Sequence, residues 1–205
     1  MVRRPSDGRT PFTAEIELDL EAGTGEVQVT HRIRNDGSHA ATVAPWGITI
    51  VQPGGVAVIP NPEYRPQPEA LLPARPFAVW HYTVLDDPRL RWGARTVGIR
   101  CDAARTAPLK LGAGNERGWF AYVWERTAFV VRTTLAPGAA YPDLGCSTEV
   151  YTEGAFCEVE TLGPLVRLAP GESTEQRETW SLLDDVDDGD DAALIGRVNA
   201  AAPSS

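Results

Sequence analysis

Glu149 and Tyr151 stand two residues apart, as do Glu158 and Glu160, on either side of Glu153-Gly154. They lie in the stretch Tyr141–Glu172, YPDLGCSTEVYTEGAFCEVETLGPLVRLAPGE. Carboxylates so placed can take a proton, accept hydrogen bonds from hydroxyls or hold a cation. A spacing of two is the period of a strand with two distinct faces. In the first segment Ser147, Glu149 and Tyr151 face one way, and Thr148 and Val150 the other. In the second, Phe156, Glu158 and Glu160 oppose Ala155, Cys157, Val159 and Thr161. Pairing the two segments gathers Glu149, Tyr151, Glu158 and Glu160 on one polar, partly aromatic face. Such a face is either a binding site or the solvated side of an antiparallel sandwich.

Aromatic side chains add to this chemistry. Trp46, Trp80, Trp92, Trp119 and Trp124 fall in the middle of the chain, with Tyr82 and Tyr122. Indole faces suit the C–H faces of a pyranose ring, and nearby carboxylates or guanidinium groups suit its hydroxyls. Each tryptophan alone is equally at home in a core. Arg75, Arg89 and Arg126 are the cationic candidates for hydroxyls, or for a phosphate or carboxylate on a sugar. Asp86, Asp87 and Arg89 also read as a turn closed by its own salt bridge. His31 and His39 flank a hairpin and are expected in solvent, and His81 follows Trp80 in a strand. Lys110 is the lone lysine among 19 Lys and Arg residues. No histidines have ligand spacing, and the acidic run Asp184–Asp191 lacks the pattern of a calcium loop, so no metal site is expected. No nucleophile elbow, phosphate loop or dinucleotide fingerprint is present, and no cofactor is implied.

The elements that must position these residues read as strands. Phe12–Leu20 alternates Ile16, Leu18 and Leu20 against Glu15, Glu17 and Asp19, and Glu26–Asn35 continues the pattern after a glycine turn. Ala40–Val51 reads as one apolar strand, followed by Val56–Ile59. Six prolines between Pro60 and Pro76 predict an irregular loop that can wall a cleft. Phe77–Val84, Thr96–Arg100, Trp119–Trp124, Phe129–Leu135 and Thr174–Leu183 are the further strands. On a strand at Phe77–Val84, Trp80 and Tyr82 share a face. Frequent Gly and Pro turns with little helical periodicity predict an all-β antiparallel β-sandwich over residues 1–183. Residues 184–205 read as an acidic, weakly ordered tail, with one short helix between Asp190 and Ala202.

A net charge of −9 argues against nucleic acid or an anionic membrane as partner. Three cysteines without metal-like spacing fit a reduced, cytoplasmic chain, with Cys146 and Cys157 as small buried hydrophobes. The basic start, MVRRPSDGRT, is not followed by the apolar run of a signal peptide.

The segments EVYTEGAFCEVET and TLGPLVRLAPGES resemble the galactose-mutarotase-like (aldose 1-epimerase-like) proteins, as do Ala44–Ile50 (APWGITI), Trp80–Gly93 (WHYTVLDDPRLRWG) and Tyr141–Gly145 (YPDLG). The resemblance implies a galactose-mutarotase-like supersandwich, here short at its N-terminus. It also implies a small-molecule carbohydrate as ligand and, if the chain is an enzyme, a sugar isomerase. It places the general base at Glu160, leaves His81 as the acid, and puts Trp46 where the family carries a histidine. Trp46, Trp80, Tyr82, Arg126, Glu149 and Glu158 are then the substrate-binding candidates. The rival expectation is a non-catalytic structural or assembly module, an oligomer or partner covering the same sheet face.

Overall fold

A computed structural model describes residues 1–7, 9–187 and 189–201. In chain order its strands are β1 (Val2–Arg4), β2 (Phe12–Leu20), β3 (Val27–Asn35), β4 (Ala41–Val43), β5 (Trp46–Val51), β6 (Val56–Pro60), β7 (Phe77–Val79) and β8 (Leu90–Trp92). The remaining strands are β9 (Thr96–Arg100), β10 (Leu109–Ala113), β11 (Trp119–Trp124), β12 (Thr127–Thr133), β13 (Thr148–Glu153), β14 (Phe156–Leu162), β15 (Val166–Leu168) and β16 (Ser173–Leu183). A single helix, α1 (Asp191–Ala200), comes last among the described residues.

Nine strands form one sheet in the order β1-β2-β3-β16-β12-β11-β6-β9-β8, and five form a second in the order β5-β14-β13-β10-β7. Strands β15 and β4 make a separate ribbon. The sheets are antiparallel throughout and pack face to face, as the alternating sequence predicts. Ala57, Ile59, Val97, Ile99, Phe120, Tyr122 and Val131 of the large sheet meet Leu109, Leu111, Val150 and Val159 of the small one. On its other face the large sheet carries Val56, Val58, Trp119, Ala121, Val123, Ala128 and Val130. There the acidic C-terminal segment docks: Val186, Leu194 and Val198 are buried against that face. Asp190 caps α1 by accepting the Ala193 N–H, as an N-terminal aspartate should. The described part of the segment read as a weakly ordered tail is therefore anchored by three apolar side chains, each contributing about 1.5–3 kcal/mol on burial, while residues 188 and 202–205 of that reading lie outside the described residues.

Several local expectations are corrected. The stretch Ala40–Val51 divides into β4 and β5 at Ala44-Pro45, where the missing proline donor interrupts the ladder. The strand expected over Phe77–Val84 stops at Val79, and a tight turn closes with the Thr83 N–H donating to Trp80 O at 2.8 Å. Thr83 then takes over from backbone pairing: its Oγ1 donates to Lys110 O at 2.7 Å and accepts the Lys110 N–H at 3.0 Å. Strands β1 and β8 add short edges that sequence patterning did not suggest. Cys101 and Cys157 form a disulfide across the two sheets, which corrects the expectation of a fully reduced chain, and Cys146 alone is free. The proline-rich stretch is irregular as expected. Arg75 pins it by donating to Pro60 O at 2.8 Å and to Asn61 Oδ1 at 2.5 Å. No helix among the described residues is long and apolar enough to cross a membrane.

Candidate functional site

Strands β13 and β14 pair with Glu149 opposite Glu160 and Tyr151 opposite Glu158, so the polar face expected from alternation forms. It is the outer face of the five-stranded sheet, turned away from the large one. Beyond β14, Ile48 and Ile50 of β5 stand opposite Glu160 and Glu158; beyond β13, Lys110 of β10 stands opposite Tyr151. Gly112, next on that face of β10, leaves room where a Cβ would come within 2.7 Å of Cys146 Sγ and 3.4 Å of Glu149 Cγ.

Lys110 is the centre of this arrangement. Its Nζ lies 2.8 Å from Glu149 Oε2 and 2.9 Å from Glu160 Oε2, bridging the facing pair. Two rings enclose the same ammonium, with Nζ 5.0 Å from the Trp46 centroid and 4.8 Å from the Trp80 centroid, a cation–π geometry on both sides. The Trp46 indole Nε1–H also donates to Glu160 Oε2 at 2.6 Å. Glu149 and Glu160 are fully buried, and Oε1 of each has no hydrogen-bond partner among the described residues. Trp46 is 53% exposed and Tyr82 42%, so rings roof the carboxylates and face solvent. Tyr82 packs edge-on against Tyr151 at 6.4 Å between centroids, and Tyr151 lies 6.0 Å from Phe156.

The electrostatics arise from two acids sharing one base. Burial pushes the Glu149 carboxyl up to about 7, against the pull of Lys110 and with help from Glu160. Lys110 is desolvated, which disfavours its charge, but the two glutamates outweigh that and hold its pKa above the ordinary lysine value. Burial and the neighbouring Glu160 also raise Glu158.

Among the residues singled out from sequence, Trp46, Trp80, Glu149 and Glu160 thus share one cluster, with Tyr82 and Glu158 at its margin. His81 occupies the corner of the Trp80–Thr83 turn, exposed, without a hydrogen bond or ion pair among the described residues. Arg126 is elsewhere: it sits with Glu125 in the β11–β12 hairpin turn, both at positive φ, and pairs with Asp185 at 3.6 Å. Arg89 closes the Asp87 turn at 2.8 Å, and Arg75 lies 4.3 Å over the Phe77 ring, so both have structural partners. Lys110 was the residue missing from the candidates; being the lone lysine was its one signal.

A second polar cluster lies behind β5, between the sheets. His31 Nε2 is 3.3 Å from Glu178 Oε1, Trp180 Nε1 donates to Glu178 Oε2 at 2.7 Å, and Thr161 Oγ1 donates to Glu178 Oε1. His31, expected in solvent, is therefore largely interior, because β3 and β16 bring it onto the inward face. Although burial works to raise the Glu178 carboxyl, His31, Thr161 and Trp180 together hold it below the usual carboxylate value. Gly47 makes the room: a Cβ there would lie 2.7 Å from Glu178 Oε1 and 2.9 Å from His31 Nε2. Among the described residues, no group of three or more His, Cys, Asp or Glu side chains could hold a metal ion.

Against solved structures, the chain superposes on a galactose mutarotase-like protein from Lactobacillus casei with a TM-score of 0.52 at 11% identity, covering 88% of this chain and 68% of that one. A putative aldose 1-epimerase from Escherichia coli gives 0.54 at 13% identity, over 84% of this chain and 60% of that one. A putative aldose 1-epimerase from Klebsiella pneumoniae gives 0.52 at 10% identity, over 100% of this chain and 54% of that one. The fold is galactose mutarotase-like. At these identities the likeness concerns the fold alone. The chain spans between about half and two thirds of the length of these structures. No family model and no curated protein matches it.

Proposed function

We propose that the outer face of the five-stranded sheet binds a carbohydrate and does not turn it over. The observation that carries this reading is the aromatic roof: Trp46 and Tyr82 exposed, Trp80 half-buried, above a row of carboxylates held in place by Lys110. Rigid rings next to fixed acceptors suit the apolar and hydroxyl sides of a pyranose. Epimerisation of an aldose needs a free base and a positioned acid within reach of one sugar. Glu160 Oε2 already accepts from both Lys110 and Trp46, and the unpartnered Oε1 belongs to a fully buried side chain that a bound sugar would not reach. Among the described residues His81 has no partner that would orient it towards Glu160. The geometry therefore favours recognition over proton transfer, and Glu160 acts in this reading as a support for Trp46.

Calorimetric titration with a panel of aldoses tests binding, and polarimetry of glucose and galactose tests turnover. The expected result is saturable binding that Trp80→Ala weakens at least about tenfold, as loss of a stacking ring should. Mutarotation should stay at the spontaneous rate. Catalysed mutarotation that collapses in Glu160→Gln would instead establish the isomerase, with Glu160 as base.

A non-catalytic assembly module is the second reading, favoured by one feature. Strand β5 is the open edge of its sheet and leaves Ile48 and Ile50 exposed, 44% and 65%. A stable oligomer on size exclusion that binds none of the panel would support it.

A further inference from the structure

The outer face has acceptors left over after its internal pairing. Lys110 supplies one positive charge to two buried glutamates, and Glu149 Oε1 and Glu160 Oε1 remain without a hydrogen-bond partner among the described residues. Next to them Glu158 is half-buried, and its carboxylate has no hydrogen bond or ion pair among the described residues. Glu153, at the end of β13, accepts from the Tyr151 hydroxyl at 2.9 Å. The arginines that could have balanced this face are elsewhere: Arg75 on the proline-rich loop, Arg89 with Asp87 and Arg126 with Asp185. Rings around an acidic patch are also what a cation prefers, because ring faces carry the negative end of the aromatic quadrupole. Lys110 between Trp46 and Trp80 shows that an alkylammonium fits this surrounding.

We infer that the ligand of this face carries a protonated amine, an amino sugar on the carbohydrate reading, with Glu158 as its counter-charge and the Tyr82 and Tyr151 rings beside it. The inference rests on the carbohydrate reading for the sugar part alone; the amine preference stands on the charges and rings. An anionic sugar, a phosphate ester or a uronate, would meet the Glu158 carboxylate, and the nearby Lys110 is already shared by Glu149 and Glu160.

The test is a calorimetric comparison at neutral pH of glucosamine, glucose, glucuronate and methylammonium chloride. Glucosamine should bind about tenfold or more tightly than glucose, the effect of one charge-assisted hydrogen bond, and glucuronate should not bind. Glu158→Gln, isosteric and at a partly exposed position, should bring glucosamine down to the affinity of glucose. Equal binding of glucose and glucosamine to the unaltered protein would overturn the amine inference while leaving the carbohydrate reading intact. Binding of methylammonium and glucosamine alike, with no binding of glucose, would support the amine and overturn the sugar. A preference for glucosamine that survives in Glu158→Gln overturns the assignment to Glu158, and tighter binding of glucuronate overturns the whole inference.

Discussion

Two glutamate clusters lie on opposite sides of strand β5 and are built in opposite ways. Outside, under Trp46, two carboxylates share one lysine, and Glu149 is held above the ordinary carboxylate range. Inside, under Gly47, one carboxylate collects His31, Thr161 and Trp180, and Glu178 is held below it. Both acids are buried, so burial alone does not decide the direction. The ratio of donors to carboxylates decides it: the outer cluster has acceptors to spare, and the inner one has its acceptor fully engaged. The spare acceptors under exposed rings are the feature on which the proposed ligand site rests. A saturated interior cluster is fitted to holding two sheets together.

The largest effect should come from removing the shared cation. Lys110→Met leaves two buried glutamates without their partner, and loss of one member of a buried ion pair costs about 3–5 kcal/mol. Denaturant unfolding at neutral pH should register that loss, and the deficit should shrink in acid, where neutral carboxyl groups no longer need the lysine. A deficit that does not change with pH would show that Lys110 acts through packing rather than charge.

Gly47→Ala attacks the inner cluster next. Its methyl would press on the Glu178 carboxylate and His31 ring, and forcing a group into a filled interior costs about 1–3 kcal/mol. Thermal unfolding should fall accordingly, with ligand binding on the outer face little changed in the molecules that remain folded.

The pH dependence of stability separates the clusters by sign. Glu149 binds its proton more tightly in the folded chain than in the unfolded one, so its contribution declines as pH rises from its unfolded value of 4.5 towards about 7. Glu178 binds its proton less tightly when folded, so its contribution is present above 4.5 and is lost as pH falls through its lowered folded value. Melting temperature measured against pH should show the decline towards neutrality flattened in Glu149→Gln. The loss in acid should be flattened in Glu178→Gln. The reverse pairing would refute the contrast between the two sites.

Arg126→Ala should do least. Its side chain is 64% exposed and its pair with Asp185 is long, so stability should change by less than about 0.5 kcal/mol and ligand affinity not at all.

The part of the site legible in the sequence was the part governed by a period of two within one strand. Glu149, Tyr151, Glu158 and Glu160 share a face because β13 and β14 are regular and joined by a short turn, and nothing tertiary overrides that. Lys110 could not be placed the same way, since its role depends on which strand lies beside β13. Trp80 and Tyr82 reached the right face by a different route from the one expected, through a turn fastened by the Thr83 hydroxyl rather than through a strand. Arg126 was drawn to the site by charge alone, yet it occupies a hairpin turn on the other sheet. The inner cluster was hidden altogether, because His31 and Glu178 come from β3 and β16, neighbours in the sheet but far apart in sequence. Docking of the C-terminal helix was obscured by its acidic approach, which outweighs Val186, Leu194 and Val198 in composition but not in burial.

The most direct test of where the ligand sits uses the tryptophans as reporters of the two clusters. The indole N–H of Trp46 donates to Glu160 outside, and that of Trp180 to Glu178 inside. In a two-dimensional nitrogen–proton spectrum of the labelled protein, assigned by Trp→Phe substitution, titration with the sugar bound most tightly should shift the Trp46 and Trp80 indole signals and leave Trp180 unmoved. A saturable shift of Trp180 alone, with Trp46 and Trp80 unchanged, would contradict the account and move the site to the inner side of β5.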